Sequence, residues 1–262
     1  MADRGVELTI GGEGPELAAY LVKPDGSARR PPGVILVHGF PSPQRPTAPS
    51  RSYHDLSERI TDDLGWMAAA VSLRGCGLSS GQFTVNGWIA DVTRAVDLLV
   101  AEGCRAMWLV GSTTGGSIAL LAAARDDRVR GVATVAARAD FDDWAREPNR
   151  FLEHCRRVNV ITEASFPPNI AEWENELHVN RPLAAASELA DRSLLVLHGA
   201  DDIQVPSSDA RSIGGAHGAA EIRIVQGGDH RLRHDPRAVA IILGWLDRQT
   251  SADPAVSGSA TD

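Results

Sequence analysis

Met107-Trp108-Leu109-Val110-Gly111-Ser112-Thr113-Thr114-Gly115-Gly116-Ser117-Ile118-Ala119-Leu120 joins a short apolar run to a run of small and apolar residues through a glycine-rich turn. The pattern is that of a buried strand turning sharply into a helix. Glycines stand two residues before and two residues after Thr113. The first lets the strand end close against its neighbours, and the second lets the incoming helix approach without a Cβ. The central side chain is then left exposed on a strained backbone at a helix N-terminus, where an alcohol can act. Taking Ser112 as the central residue would put Val110 and Thr114 at the flanking positions, and neither adopts a glycine-like conformation cheaply. Short glycine turns also occur in unrelated α/β folds, so the surroundings must decide.

Upstream, Val6-Glu7-Leu8-Thr9-Ile10 and Glu16 to Val22 alternate about a glycine-rich turn, which predicts a hairpin of edge strands. A polar loop over Pro24 to Pro32 follows. Gly33-Val34-Ile35-Leu36-Val37 is continuously apolar, as a strand buried on both faces must be, and it ends in His38-Gly39-Phe40-Pro41. Ser42 to Arg51 reads as a loop beside the ligand cleft. Ser52, with Asp55 three residues on, reads as the cap of a helix to about Leu64. Trp66 to Leu73 is the next buried strand and runs into Arg74-Gly75-Cys76-Gly77-Leu78-Ser79. Trp88 to Ala101 carries one apolar face of a crossover helix. With Val129 to Ala136 as a further strand, the βα alternation implies a parallel sheet covered on both faces.

Downstream, periodicity breaks down from Phe141 to about Asn180, where Phe141, Trp144, Phe151, Phe166 and Trp173 cluster with prolines. This is expected to be a small insertion lining an apolar pocket. His154 and His178 within it have no spaced partners and read as structural or exposed. Ser193 to Leu197 is another buried strand, leading into His198-Gly199-Ala200-Asp201-Asp202-Ile203-Gln204-Val205-Pro206. Glu221 to Val225 is the last strand, followed by Gly227-Gly228-Asp229-His230. His234 precedes Asp235-Pro236, a cap and first helical residue. Pro236 to Arg248 closes the fold, and 251–262 reads as a disordered tail.

In order and spacing these segments resemble the α/β-hydrolase superfamily, with threonine where the family's G-x-S-x-G carries serine. The resemblance implies a mostly parallel sheet of about eight strands with helices on both faces. It also implies one domain over 1–250 and a cap insertion at 141–180. It places Thr113 at the nucleophile position, Asp202 as the acid of H-G-x-x-D-x-x-V-P, and His230 as the base, with Asp201 the acid's close competitor. The backbone N–H groups of Phe40 and Thr114 are then the expected oxyanion donors. The implied function is an intracellular hydrolase of a small, largely apolar carboxylic ester or thioester, acting through an acyl-Thr113 intermediate. The added methyl of threonine stiffens χ1 beside the oxyanion pocket, so a degenerate, non-catalytic ligand-binding relative is the alternative.

Composition narrows the partners. The 262-residue chain is 43% hydrophobic and 23% charged, with a formal charge of -8, and its scattered arginines form no basic stripe for nucleic acid. Cys76, Cys104 and Cys155 are odd in number and widely spaced, which fits a reducing cytoplasm better than a disulfide framework. No apolar run approaches the roughly 18 residues of a membrane span, and the N-terminus carries no secretory pattern. Neither a phosphate-cradling loop nor a metal-ligand cluster is evident, so no cofactor and no metal are expected.

Overall fold

The continuous apolar strands of the sequence work because alternate side chains enter two different cores. In the computed structural model, which describes residues 4–26, 30–41 and 51–252, Ile35, Leu109, Val132 and Val196 face one layer. Their neighbours Leu36, Val110, Ala133 and Leu197 face the other. A strand alternates with period two, so only a sheet covered on both faces can bury such a run.

Eight strands lie in one sheet: β1 (Val6–Ile10), β2 (Leu17–Val22), β3 (Gly33–Val37), β4 (Met67–Val71), β5 (Met107–Ser112), β6 (Val129–Val135), β7 (Ser193–Gly199) and β8 (Glu221–Val225). Their spatial order is β1-β2-β4-β3-β5-β6-β7-β8. The first two pairings, β1 with β2 and β2 with β4, are antiparallel, and all others are parallel. Only β1 of the amino-terminal hairpin is an edge strand, because β4 takes the free side of β2; this corrects the expectation of two edge strands. The burial of Leu17, Leu21 and Val22 against the core explains why.

Helices α1 (Arg51–Leu64), α2 (Val85–Ala101) and α3 (Thr114–Ala124) follow β3, β4 and β5. Thr84 caps α2 by accepting the Gly87 N–H at 2.7 Å. Ser52 does not cap α1. The helix already begins at Arg51, and the Ser52 hydroxyl accepts from the Arg233 guanidinium at 2.5 Å instead. Between β6 and β7 lie α4 (Asp142–Arg146), α5 (Pro148–Arg157), α6 (Ile170–Val179) and α7 (Pro182–Glu188). The fold ends with α8 (Ser207–His217) and α9 (Pro236–Ala252). As the sequence indicates, Asp235 supports the start of α9, its carboxylate accepting the Arg237 N–H at 2.8 Å. Among the described residues no helix is long and apolar enough to cross a membrane. The loop expected over Ser42 to Arg51 and the expected tail lie mainly outside the described residues.

The two elbow glycines are fixed by space rather than by backbone freedom. A Cβ on Gly115 would strike the carbonyl oxygens of Val37 and His38, and one on Gly111 would strike the Gly115 carbonyl and the Gly116 Cα. Each clash is with backbone, which cannot rotate away. Gly115→Ala is therefore expected to lose about 2–3 kcal/mol or more of unfolding free energy in urea. The control Gly215→Ala, in α8 with nothing within 4 Å of its added methyl, should be neutral or gain about 0.5–1 kcal/mol.

Candidate active site

The elbow holds Thr113 at φ 54 and ψ -124, a conformation that costs a β-branched residue on the order of 1–3 kcal/mol and is kept only where its surroundings enforce it. Here they do. The Thr113 N–H donates to the Val135 carbonyl at 2.7 Å, and its own carbonyl accepts the Gly116 N–H at 2.9 Å. The neighbouring Ser112 is buried in β5.

Two histidines at strand ends, read in the sequence only as parts of motifs, organise the loops around Thr113. The buried His38 ring accepts the Leu73 N–H at Nε2, 2.9 Å away, and its Nδ1 donates to the Gly39 carbonyl at 2.7 Å. Because the Gly39–Phe40 peptide is planar, holding its carbonyl on one side turns the Phe40 N–H to the other. Among the described residues neither the Phe40 N–H nor the Thr114 N–H has an acceptor, so both remain available as donors. His198, wholly buried at the end of β7, donates from Nε2 to the Val205 carbonyl at 3.0 Å and lies 3.5 Å from Asp202. It pins the loop whose amides hold that carboxylate.

Asp202 Oδ1 accepts the N–H groups of Gln204 and Val205 at 2.8 and 2.9 Å, while Oδ2 lies 2.9 Å from His230 Nδ1. Burial works to raise its pKa, but these hydrogen bonds outweigh it and hold the carboxyl below the usual range. Bonded at Nδ1 to a carboxylate, His230 carries its proton there and leaves Nε2 as an acceptor toward the cleft. Asp201 is exposed, and its backbone N–H donates to the Gly228 carbonyl at 2.9 Å. The carboxylate beside His230 is that of Asp202.

Thr113 is brought to the same cleft but is not joined to the pair. Its hydroxyl is turned toward Gly39, where an added Cβ would collide with it, and among the described residues no hydrogen bond links it to His230. Productive proton transfer requires a change of χ1, which β-branching resists.

The cleft above these residues encloses about 1210 Å³. One wall carries Trp144 and Phe151, the middle pair of a stack that continues into the core through Phe141 and Trp173, with centroid spacings of 5.3, 4.2 and 5.4 Å. The Phe40 ring packs against Trp144 and Phe151. The rest of the lining departs from the apolar pocket expected, since Arg138, Arg150, Arg157, Arg231 and Arg233 all reach it. His154, expected to be structural or exposed, is half-buried and faces the cleft, while His178 is exposed near Glu174. His234 lies in a 3-10 turn, Leu232–His234, and also lines the cleft. Cys76 and Cys155 are buried thiols whose pKa values burial pushes well up, so they pack rather than react.

The model of the alpha/beta hydrolase family matches residues 34–242. Among solved structures, the chain is similar to Est1E from Butyrivibrio proteoclasticus with ferulic acid bound, at 19% identity and a TM-score of 0.71, covering 94% of this chain and 98% of that one. It is similar to an esterase from Pyrococcus furiosus at 14% identity and a TM-score of 0.68, covering 93% and 90%. DcsB in complex with its substrate analogue aligns at 15% identity and a TM-score of 0.73, covering 97% and 100%. No curated protein matches the sequence.

Burial lowers the His38 pKa from 6.5 to about 4 despite its bond to the Gly39 carbonyl, with Arg233 adding to the effect. A group whose folded pKa is depressed contributes stability that is intact above the unfolded value and falls away as pH drops toward the folded value. Urea unfolding of the wild type should therefore lose up to roughly 3 kcal/mol from this ring between pH 6.5 and 4. His38→Gln, which does not titrate, should show a correspondingly flatter profile across that window.

Proposed function

Since the chain belongs to the alpha/beta hydrolase family, we propose that it is an intracellular acyl hydrolase cleaving a carboxylic ester or thioester through Thr113, Asp202 and His230. The observation that carries this reading is the Asp202–His230 pair at 2.9 Å, opposite two backbone N–H groups with no acceptor among the described residues. A buried carboxylate bonded to His Nδ1 at a cleft holds Nε2 free as a base and stabilises the imidazolium that forms.

In the proposed sequence, Thr113 rotates so that its hydroxyl meets His230 Nε2. His230 takes the proton as the oxygen attacks the acyl carbon, and the Phe40 and Thr114 N–H groups receive the developing oxyanion. Collapse expels the alcohol or thiol, which takes its proton from His230, and leaves acyl-Thr113. Water, deprotonated by His230, then releases the acid. We read residues 1–250 as one hydrolase domain with 141–180 as its cap. The bound ferulic acid of Est1E and the Phe40, Trp144 and Phe151 rings that line the cleft of this chain together favour a substrate with a planar or extended apolar portion. The buried, unpaired thiols of Cys76, Cys104 and Cys155 accord with a reducing compartment.

The second reading, a ligand-binding relative without turnover, is favoured by one observation: the Thr113 hydroxyl faces Gly39 and not His230. The two readings separate at Thr113. With 4-nitrophenyl butyrate and a fluorophosphonate probe, Thr113→Ser should raise turnover and labelling about fivefold or more, the equivalent of relieving on the order of 1 kcal/mol of strain. Thr113→Val should abolish both. A wild type that is inert while Thr113→Ser is active marks the degenerate site, and inertness of both removes the hydrolase reading.

The base and acid are tested independently of the nucleophile. His230→Ala should cost about 10²–10⁴ in turnover. Asp202→Asn should cost orders of magnitude by reversing the favoured tautomer, and Asp201→Asn little. A larger loss from Asp201→Asn would assign the acid to that residue instead.

A further inference from the structure

We propose that the cleft selects an acyl substrate bearing a second, anionic group, a free carboxylate remote from the scissile bond, and that Arg157 with His154 on α5 forms the subsite that binds it. The proposal rests on the hydrolase reading above and names the substrate class for the same cleft.

The charges of the cleft single out Arg157. Arg138 is paired with Asp143, Arg150 with Glu147 at 2.7 Å, and Arg231 with Asp229 at 3.9 Å. Arg233 donates to Ser52 and lies 4.7 Å over the Tyr53 ring. Among the described residues the polar contact of Arg157 is with His154 Nδ1, at 3.5 Å, and no carboxylate meets it. The neighbouring Arg156 tethers the loop after α5 through the carbonyls of Ala164 and Phe166, so that structural contact does not fall to Arg157. A guanidinium lining a cleft without an acid partner presents two parallel N–H donors, the geometry that a carboxylate fits.

His154 makes the arrangement specific. Burial and the adjacent Arg157 both lower its pKa, so the ring stays neutral and can accept a hydrogen bond from Arg157 without adding a second charge. Its ring meets the Phe40 ring with centroids 5.9 Å apart, so the His154 and Phe40 rings span the distance between the cation and a proposed oxyanion donor. Trp144 and Phe151, whose faces are taken up by stacking, border the same cleft with their edges, an apolar surface that suits the methylenes between the two ends of such a substrate. The chain's formal charge of -8 repels anions in general, so an anionic substrate needs a local cation to be held.

The test compares 4-nitrophenyl butyrate with the mono-4-nitrophenyl esters of glutaric and adipic acids, which share its leaving group and add a distal carboxylate. Wild type should prefer an acid ester in kcat/KM by about fivefold to tenfold, mainly through KM, and the preference should shrink as ionic strength rises. Arg157→Gln should erase the preference while leaving butyrate turnover unchanged, and Arg157→Lys should retain part of it. Equal treatment of the two substrate types by wild type, or a preference that survives Arg157→Gln, overturns the proposal. If wild type cleaves none of the esters, the hydrolase reading fails and binding alone decides. Glutarate or adipate should then raise the Tm of wild type but not of Arg157→Gln, and an absent or equal shift overturns the subsite.

Discussion

The approach of the α3 N-terminus to the end of β3 is the contact on which everything else in the structure depends. At Gly115 a backbone hydrogen sits where any larger group would strike the carbonyls of Val37 and His38. That closeness sets the peptide planes on both sides of the cleft: the N–H of Thr114 at the head of the helix and the N–H of Phe40 after the strand. It also forces Thr113 into its left-handed conformation, since the chain must reverse within one residue between β5 and α3. The strain at Thr113 is thus supported by packing at residues that never touch a ligand.

Around this contact the loops are held by buried imidazoles. His38 follows β3 and His198 lies at the end of β7, each precedes a glycine, and each bonds to a backbone group of a separate loop, at Leu73 and Val205. A buried polar ring is costly unless its nitrogens are engaged. His38 satisfies both and in doing so fixes the Gly39 carbonyl. His198 engages Nε2 and leaves Nδ1 without a partner among the described residues. The two strand ends of the site are built on one plan, a ring beneath and a backbone loop above.

Much of this was legible in the sequence because it follows from backbone constraints. The glycines at 111 and 115 and the two-faced strands are dictated by geometry that few residue types satisfy, whereas Asp202 and His230 stand out only through the resemblance to the α/β-hydrolase superfamily. What escaped depended on tertiary contacts. The expectation of an N-cap at Ser52 gave way because its hydroxyl is taken by Arg233, nearly two hundred residues on. The burial of β2 between two strands could not be read from its alternation. Helices α4 to α6 lacked a clear period because short helices packed through aromatic stacking need only one ring each, Trp144, Phe151 and Trp173. The direction of the Thr113 hydroxyl is a rotamer choice, and the polar lining of the cleft comes from arginines that look like any surface charge in one dimension.

Phe40 joins two parts of the molecule that could have been separate. Its amide is one of the two proposed oxyanion donors, while its ring packs into the aromatic wall with Trp144, Phe151 and His154. On that proposal, a change of shape anywhere along that wall is transmitted to the peptide that would meet the oxyanion. For this lineage, selectivity and rate are not independent traits: a drift in one ring of the wall toward a new acyl group moves a hydrogen-bond donor at the same time. Adaptation to a new substrate should then proceed through linked substitutions around Phe40, and seldom through single steps.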